Sequence, residues 1–458
     1  MTTARLAPPP VAADARASRR AALGLTPRAL WLLVAGLLWI GPAWIDRRAL
    51  AALVLWNVIV LAVVWLDLRR VPPPALLSVS RTWSAPLTLG TPSIVYIDVH
   101  NRGTVDIHVR LSDHVSSALR LDLPEMEVPV AGGARVRAEY SVTPRERGDA
   151  QMGGVVLEWR DAWGLVERWA MAPLEQVVRV YPDLLEGRQE AMYLIRSRQV
   201  AIEKRRAKRV GTGREFESLR DYRPGDERRD VCWTASARRG KLVTKVYQPE
   251  RSQAVWLLVD AGRLLRARIG AQMMLDQTVT AALTLAQVAL ASGDRVGLLA
   301  YGRRLQQRVA PARGAAHLRV LVDALALVRP EGAEADHGAA AAAVMVAQKR
   351  RALVVWLTDV ADTAGVPDVI EQALGLMPVH VLLFGVMRQP EMAALSAMSP
   401  GSPSEMFRVM AAQETLDRRG VLLYGLRQHG ALVLEASPSE LSGGLVDRYL
   451  EVRERGLL

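Results

Sequence analysis

The sequence predicts an α/β protein: a doubly wound sheet in the C-terminal half, preceded by a two-helix transmembrane hairpin and an all-β, sandwich-like domain. Three observations predict this organisation. Two long charge-free segments lie between residues 29 and 66, short alternating segments follow, and continuous apolar strands alternate with helix-length segments from residue 251 onward. A chain of 458 residues, half of them hydrophobic, is long enough for several such domains.

The charge-free segments are residues 29–45 and 49–66, whose lengths are near the lower limit for a helix that crosses a bilayer. Five of the 12 Trp residues lie between Trp31 and Trp65, as is typical of a membrane interface. A buried helix pair and a signal peptide are the alternatives, although a signal peptide is not followed at once by a second apolar segment. We therefore expect a two-span hairpin in the cell (inner) membrane, with the lipid bilayer as a partner. Arginines flank its outer ends, which places both termini in the cytoplasm.

Four further regions follow from composition and periodicity. Residues 1–28 are rich in Ala, Pro and Arg and are expected to be a disordered basic tail. Residues 76–182 alternate apolar and polar residues between turns, which predicts the sandwich-like domain. Residues 183–250 are a charged signature segment. Strands in residues 251–458 lack alternation, which indicates burial on both faces in a parallel sheet covered by helices.

Positive charge is concentrated in one region of the chain. Residues 196–245 hold 16 Lys and Arg against 7 Asp and Glu, a net charge of +9 out of the chain's +12. Such a region meets phosphates, anionic lipid or an acidic protein, and residues 204–209 are the candidate for anionic lipid. A solvated charged surface explains the pattern equally well. Nucleic acid is not expected as a partner, because few aromatic residues are interleaved and no recognition helix is evident.

No catalytic motif is present, since the chain lacks GxSxG, HExxH and CxxC. We therefore predict no catalytic residue and no cofactor, with weak Mg²⁺ binding as the exception to test. Asp260 and Asp359 each end an apolar strand, at the edge where open parallel sheets bind ligands. An enzyme of envelope metabolism, with a site assembled near Asp260 or Ser236, remains an alternative function.

The signature segment carries a long series of residues at characteristic spacing. They are Gly213, Glu215, Phe216, Leu219, Arg220, Tyr222, Gly225, Asp226, Arg229, Val231, Trp233, Ser236, Ala237, Arg238, Gly240 and Leu242. Upstream, residues 147–148, 161–165 and 180–182 add shorter motifs. Together these resemble the signature of the bacterial domain-of-unknown-function 58 family, and the resemblance covers nearly all of the chain from residue 29 onward.

The resemblance implies a role rather than a reaction. It implies a von Willebrand factor type A-like fold for the C-terminal α/β domain. Members of the family are typically encoded beside MoxR-type AAA+ ATPases and other von Willebrand type A proteins, which are therefore the expected partners. The expected function is that of a membrane-anchored, non-enzymatic interaction or adaptor protein in protein assembly or envelope maintenance.

The resemblance also bears on the strength of the predicted Mg²⁺ site. Type A domains that bind Mg²⁺ present Asp-x-Ser-x-Ser after the first strand, whereas this chain has Asp260, Gly262 and Leu264. Both hydroxyl ligands are missing, so Asp260 and Asp359 make a weak Mg²⁺ site at best. The alternative is that these two aspartates cap neighbouring helices.

The polar members of the signature suggest a structural role. We hypothesise that Arg220, Asp226, Arg229 and Trp233 form a paired, buried cluster that holds residues 211–245 against the α/β sheet, because buried charges persist only when they are paired.

Overall fold

The computed structural model describes residues 8–18, 22–44, 48–183, 215–223, 228–248, 253–270, 272–359 and 368–457. The chain divides into two compact units, Met1–Asp183 and Leu184–Leu458.

The first unit contains the apolar helices. They are α1 (Pro27–Ala35), α2 (Ile40–Ala43) and α3 (Arg48–Arg70), with a 3-10 turn at Gly36–Trp39. The predicted second span lies within α3. The predicted first span is divided into three short pieces, since glycine is a poor helix former and Pro42 has no N–H to donate. Gly36 lies so close to α3 that a Cβ atom there would be 2.8 Å from the Trp56 ring, so the two helical segments are in direct contact.

Two helices among the described residues are long and apolar enough to cross a membrane, Leu50–Leu76 and Met274–Ala291. Only 11% of the first is buried inside the protein, whereas 78% of the second is buried. The second is therefore the core helix of the α/β unit rather than a membrane span. Pro27–Trp39 is apolar but shorter.

Twelve strands complete the described part of the first unit. They are β1 (Ala13–Arg16), β2 (Ala22–Leu25), β3 (Leu77–Trp83), β4 (Leu87–Thr88), β5 (Ser93–Asn101), β6 (Ile107–Asp113), β7 (Glu125–Val130), β8 (Arg135–Val142), β9 (Gly148–Met152), β10 (Val155–Asp161), β11 (Val166–Ala172) and β12 (Gln176–Tyr181). Their sheets have the orders β1-β3-β5-β8, β2-β11-β10-β6-β7 and β4-β12-β9, and every pairing except β4 with β12 is antiparallel. Alternate residues of both larger sheets, such as Ile97 and Leu111, meet in one apolar core.

The expectation of a disordered tail over residues 1–28 is wrong for its described part. Ala13–Arg16 pairs antiparallel with β3, and Ala22–Leu25 pairs antiparallel with β11, so the tail adds an edge strand to each large sheet. Each strand has only four residues, too few to show a periodic pattern. Their stability comes from backbone hydrogen bonds to strands more than 60 residues away in sequence.

An ion pair lies at the centre of the sandwich. The side chains of Arg81 and Asp113 are fully buried, and Arg81 Nε donates to Asp113 Oδ2 at 3.1 Å. Tyr140 donates its hydroxyl to the same oxygen at 2.6 Å, and Arg81 Nη1 donates to the Leu174 carbonyl at 2.9 Å. These bonds satisfy charges that would otherwise be costly to bury.

The end of α3 is fixed to the sandwich. Asp67 is buried and its Oδ2 accepts the backbone N–H groups of Leu165 and Val166 at 2.9 and 2.8 Å. Trp159 donates its indole N–H to the Pro72 carbonyl at 3.0 Å. Residues 161–165, a motif of the family resemblance, therefore form the loop that receives the end of the helix.

The second unit begins with the described part of the signature segment. Its elements there are β13 (Glu215–Asp221), a 3-10 turn at Arg228–Asp230, α4 (Trp233–Arg239) and β14 (Val243–Gln248), and β13 pairs antiparallel with β14.

The α/β domain follows. Its strands are β15 (Ala254–Asp260), β16 (Arg268–Ile269), β17 (Gln272–Met273), β18 (Arg295–Tyr301), β19 (Leu305–Ala312), β20 (Leu353–Leu357), β21 (Val381–Met387) and β22 (Leu432–Ala436). Its helices are α5 (Met274–Ala291), α6 (Ala315–Ala326), α7 (His337–Ala347), α8 (Asp368–Leu376), α9 (Pro390–Ser396), α10 (Pro403–Gln428) and α11 (Pro438–Arg455). The main sheet has the order β19-β18-β15-β20-β21-β22, and β15, β18, β20, β21 and β22 run parallel.

This domain matches the predicted doubly wound α/β architecture. Every residue of β15 and β20 is buried, as expected when helices cover both faces of a sheet. One face, including Trp256 and Trp356, packs against α7, α8 and α10. The sequence missed β19, an antiparallel edge strand whose residues are mostly exposed and which includes Pro311. Ser437 and Glu440 form a capping box at the start of α11.

Candidate functional site

The candidate site is the carboxyl edge of the main sheet, which is the edge at which its parallel strands end. Asp260 is the last residue of β15, and Thr358 and Asp359 directly follow β20. These strands are neighbours, and β15 also pairs with β18 on its other side. Ligands of open α/β sheets bind where the strand order reverses in this way. The fold therefore brings the two predicted aspartates to neighbouring strand ends.

Both carboxylate oxygens of Asp260 are occupied by protein donors. Oδ1 accepts the Gly262 N–H at 2.7 Å, and Oδ2 accepts the Thr358 hydroxyl at 2.6 Å. The residue is 3% exposed. Burial raises the pKa of the Asp260 carboxyl above its ordinary value, although the bond from Thr358 opposes this effect.

Asp359 is held by two side chains from outside its strand. Its Oδ1 lies 2.8 Å from Nη1 of Arg419, a residue of α10, and its Oδ2 accepts the Gln389 amide at 2.8 Å. The side chains of Arg419 and Asp359 are 7% and 1% exposed. Asp359 is therefore one half of a buried ion pair.

These residues do not fit a divalent cation. Such an ion needs free oxygen ligands, whereas the oxygens of both aspartates already accept hydrogen bonds and a guanidinium lies beside Asp359. Gly262 has no side chain that could supply the missing hydroxyl ligand. The space there is also too small for one, because a Cβ atom would lie 2.9 Å from Ala335. Within the described residues, no group of three or more His, Cys, Asp and Glu side chains is arranged to hold a metal.

An open groove of about 540 Å³ lies next to this edge. Its apolar lining comes from β16, the start of α5, and α9 with the residues that follow it: Ile269, Met274, Met392, Leu395 and Met398. Gln389 joins the groove to the edge, since it lines the groove and donates to Asp359. No sequence pattern indicated the groove, because its walls come from segments more than 100 residues apart.

The groove also carries charged groups. Arg268, Arg408 and Glu391 line it and are exposed, which leaves a net positive charge. Within the part of the chain that the structure describes, neither arginine side chain has a hydrogen-bond or ion-pair partner. Methionine-rich grooves adapt to varied apolar surfaces, so this groove suits an apolar segment that also bears carboxylates.

Ser236 has a structural role in the signature segment. It is 8% exposed, and its hydroxyl accepts the Val243 N–H at 2.9 Å while lying 3.5 Å from the Val243 carbonyl. The side chain thus joins α4 to the start of β14. A hydroxyl bonded in this way is a poor nucleophile candidate.

The structure describes only part of the hypothesised buried cluster, since Asp226 and the side chain of Arg229 lie outside the described residues. Trp233 is 68% exposed, because α4 is a short helix whose only buried residue is Ser236. Leu219, Arg220 and Tyr222 are half-buried, whereas Ala237 and Arg238 are exposed.

Several signature positions lie outside the described residues. Gly213, Gly225 and Asp226 are among them, as are the side chains of Glu215, Phe216 and Arg229. The basic residues 204–209 also lie there, so their proposed contact with lipid stays a prediction.

Comparisons with known proteins show a similarity to one protein family. A family model described as "Protein of unknown function DUF58" matches residues 218–386. The uncharacterized protein YeaD of Bacillus subtilis is 25% identical over 198 residues, which are 43% of this chain and 46% of that protein. The uncharacterized protein Rv1480 of Mycobacterium tuberculosis is 26% identical over 151 residues, 32% of this chain and 48% of that protein. The chain thus spans about half the length of these relatives.

Solved structures give weaker similarities. Proximal thread matrix protein 1 from the mussel byssus is 13% identical with a TM-score of 0.27, over 43% of this chain and 46% of that one. A PapD-like domain of human CEP192 is 14% identical with a TM-score of 0.14, over 21% of this chain and 74% of that one. Both TM-scores are too low to assign a shared fold.

Proposed function

We propose that this protein, whose residues 218–386 match the model of the DUF58 family of proteins of unknown function, is a membrane-anchored, non-enzymatic interaction protein. Its partner is a MoxR-type AAA+ ATPase, with other von Willebrand type A proteins as further members of the assembly. The assembly acts in protein assembly or envelope maintenance.

The observation that carries this proposal is the groove beside the carboxyl edge. Its apolar walls lie open to solvent, and Arg268 and Arg408 are exposed in its lining. An exposed apolar surface flanked by polar groups is typical of a protein interaction site. The positive charge favours a partner segment that carries both apolar side chains and carboxylates.

Two features support an interaction role over the envelope-metabolism enzyme. The hydroxyl of Ser236 is bonded to Val243, and both oxygens of Asp260 are bonded to neighbouring groups. Each candidate catalytic group therefore maintains local structure in the contacts described above.

The strand order supports the proposal that the α/β domain is von Willebrand type A-like. Its central strand β15 lies between β18 and β20, and the antiparallel strand β19 closes one edge. Partners of such a domain would then approach the carboxyl edge, where the groove lies.

The membrane anchor is supported by the surface of α3. Its apolar side chains are exposed in the protein, for example Leu55 at 60% and Ile59 at 51%. Arg69 lies 3.7 Å above the Trp65 ring at the end of the apolar stretch, an arrangement that suits a membrane interface. We propose that α1–α3 form the two-span anchor, with both termini in the cytoplasm.

Site-specific crosslinking in membranes tests the interaction. A photoreactive amino acid replaces Met398 in the groove or, as a control of similar exposure, Val320 on α6. The protein is expressed together with a MoxR-type AAA+ ATPase. We expect the Met398 position to crosslink to the ATPase and the Val320 position not to do so.

Charge reversal in the groove provides a second test of the same interaction. Arg268→Glu with Arg408→Glu should abolish the crosslink, whereas Arg319→Glu, an exposed arginine on α6, should leave it unchanged. Equal crosslinking from both positions, or none to the ATPase from Met398, would contradict the proposal.

A further inference from the structure

The guanidinium group of Arg419 lies among oxygen atoms from three neighbouring strand ends. Nη1 is 2.8 Å from Asp359 Oδ1, just after β20. Nη2 donates to the carbonyl of Met387, the last residue of β21. Nε lies 3.7 Å from Glu435 Oε1, near the end of β22. Two carboxylates and one carbonyl therefore surround a single cationic group.

The oxygen atoms around this guanidinium group are of the kinds that bind a hard metal ion. Divalent cations such as Mg²⁺ take carboxylate and carbonyl oxygens. Here the same kinds of oxygen surround a side chain that is always charged and is only 7% exposed. Removing the cation would leave the buried carboxylate of Asp359 without its positive partner, which a folded protein tolerates poorly.

We propose that Arg419 is the protein's own cation at the carboxyl edge and takes the place of a bound divalent metal. The ordered structure of this edge then depends on the packing of α10 against it and does not require a bound metal ion. The groove shares this dependence, because Gln389 in its wall is held by Asp359, and Arg408 in its lining belongs to the same helix as Arg419.

Thermal unfolding of the full-length protein in detergent micelles tests the proposal, with each variant compared in EDTA and in millimolar Mg²⁺. The wild type should unfold at the same temperature in both. Arg419→Ala should unfold several degrees lower in EDTA, and Mg²⁺ should restore part of this loss because the exposed oxygens can then bind the ion. Sodium chloride of equal ionic strength should not restore it.

Two further variants make the comparison specific. Arg427→Ala removes an exposed arginine from the same helix and should behave as the wild type in both solutions. Arg419→Lys keeps a cation and should remain indifferent to Mg²⁺.

Three outcomes would overturn the proposal: stabilisation of the wild type by Mg²⁺, an Arg419→Ala variant that is destabilised but insensitive to Mg²⁺, or Mg²⁺-dependence of Arg419→Lys. If Arg419→Ala does not fold in EDTA, its recovery is compared after refolding with and without Mg²⁺. Recovery that is the same in both would equally overturn it.

Discussion

At the scale of single residues, the carboxyl edge shows how burial decides the role of a carboxylate. Asp260 and Asp359 end neighbouring strands, yet they are satisfied differently. Asp260 accepts bonds from a backbone N–H and a hydroxyl, whereas Asp359 faces a guanidinium. Burial without a cationic partner disfavours the ionised form of a carboxyl group, whereas a neighbouring arginine stabilises that form.

A pH dependence follows from Asp260. Burial raises its pKa above the ordinary value of 3.8. The stability that it contributes is therefore complete below that value and is lost as the pH rises through the raised pKa, by about 1.4 kcal/mol for each unit of the increase. Asp260→Asn keeps an acceptor for Gly262 but cannot ionise. We expect the variant to gain stability relative to the wild type as the pH rises from about 4 towards neutral.

Thermal unfolding of both proteins across this range measures the difference. Asp336→Asn, at an exposed aspartate that caps α7, is the control for loss of a carboxylate. A constant difference between Asp260→Asn and the wild type at all pH values would contradict the expectation.

At the scale of elements, the joint between α3 and the sandwich is the best-defined contact of the first unit. The carboxylate of Asp67 satisfies two buried N–H groups at the start of β11. Arg168 adds a bond from β11 to the Leu68 carbonyl at 2.8 Å. The helix and the sheet are therefore coupled through hydrogen bonds, and the proline segment that follows α3 is itself bound to the sandwich through Trp159 and the Pro72 carbonyl.

Replacing Asp67 should loosen this joint. Asp67→Ala leaves the N–H groups of Leu165 and Val166 without their acceptor, at about 1–3 kcal/mol each. We expect faster hydrogen exchange at these two amides and a lower unfolding temperature of the sandwich. Leu66→Ala, at the neighbouring exposed position, should change neither. Unchanged exchange at Leu165 and Val166 in Asp67→Ala would show that the carboxylate does not hold the joint.

At the scale of the whole molecule, two kinds of apolar helix have to be distinguished. Leu50–Leu76 and Met274–Ala291 both satisfy the length and hydropathy expected of a membrane span. The first leaves its apolar side chains exposed, whereas the second is buried against the sheet. Exposure of the first helix is the reason to propose a membrane anchor there.

Charged substitutions in α3 test the anchor. Leu55→Arg with Ile59→Arg places two charges in the middle of the apolar stretch, each costing about 2.5–3.5 kcal/mol at the centre of a bilayer. We expect the double variant to shift from the membrane fraction to the soluble or aggregated fraction. Val346→Arg, at an exposed site on α7, should remain in the membrane fraction. Membrane retention of the double variant equal to that of the wild type would argue against anchoring through α3.

The sequence by itself determined the features that rest on local pattern. Unbroken apolar strands predicted the buried parallel sheet, and alternation predicted the antiparallel strands. The signature spacing indicated a resemblance to the family whose model matches residues 218–386. Each of these signals lies within a short window, because side-chain periodicity depends on residues that are neighbours along the chain.

The tertiary structure alone decided the features that depend on distant partners. Four-residue strands in the N-terminal tail form because they pair with β3 and β11. Arg419 reaches Asp359 across 60 residues, and the groove is assembled from segments more than 100 residues apart. Trp233 is exposed although its motif suggested burial. Whether a polar side chain is paired, buried or free is set by packing between elements, and no local pattern records that packing.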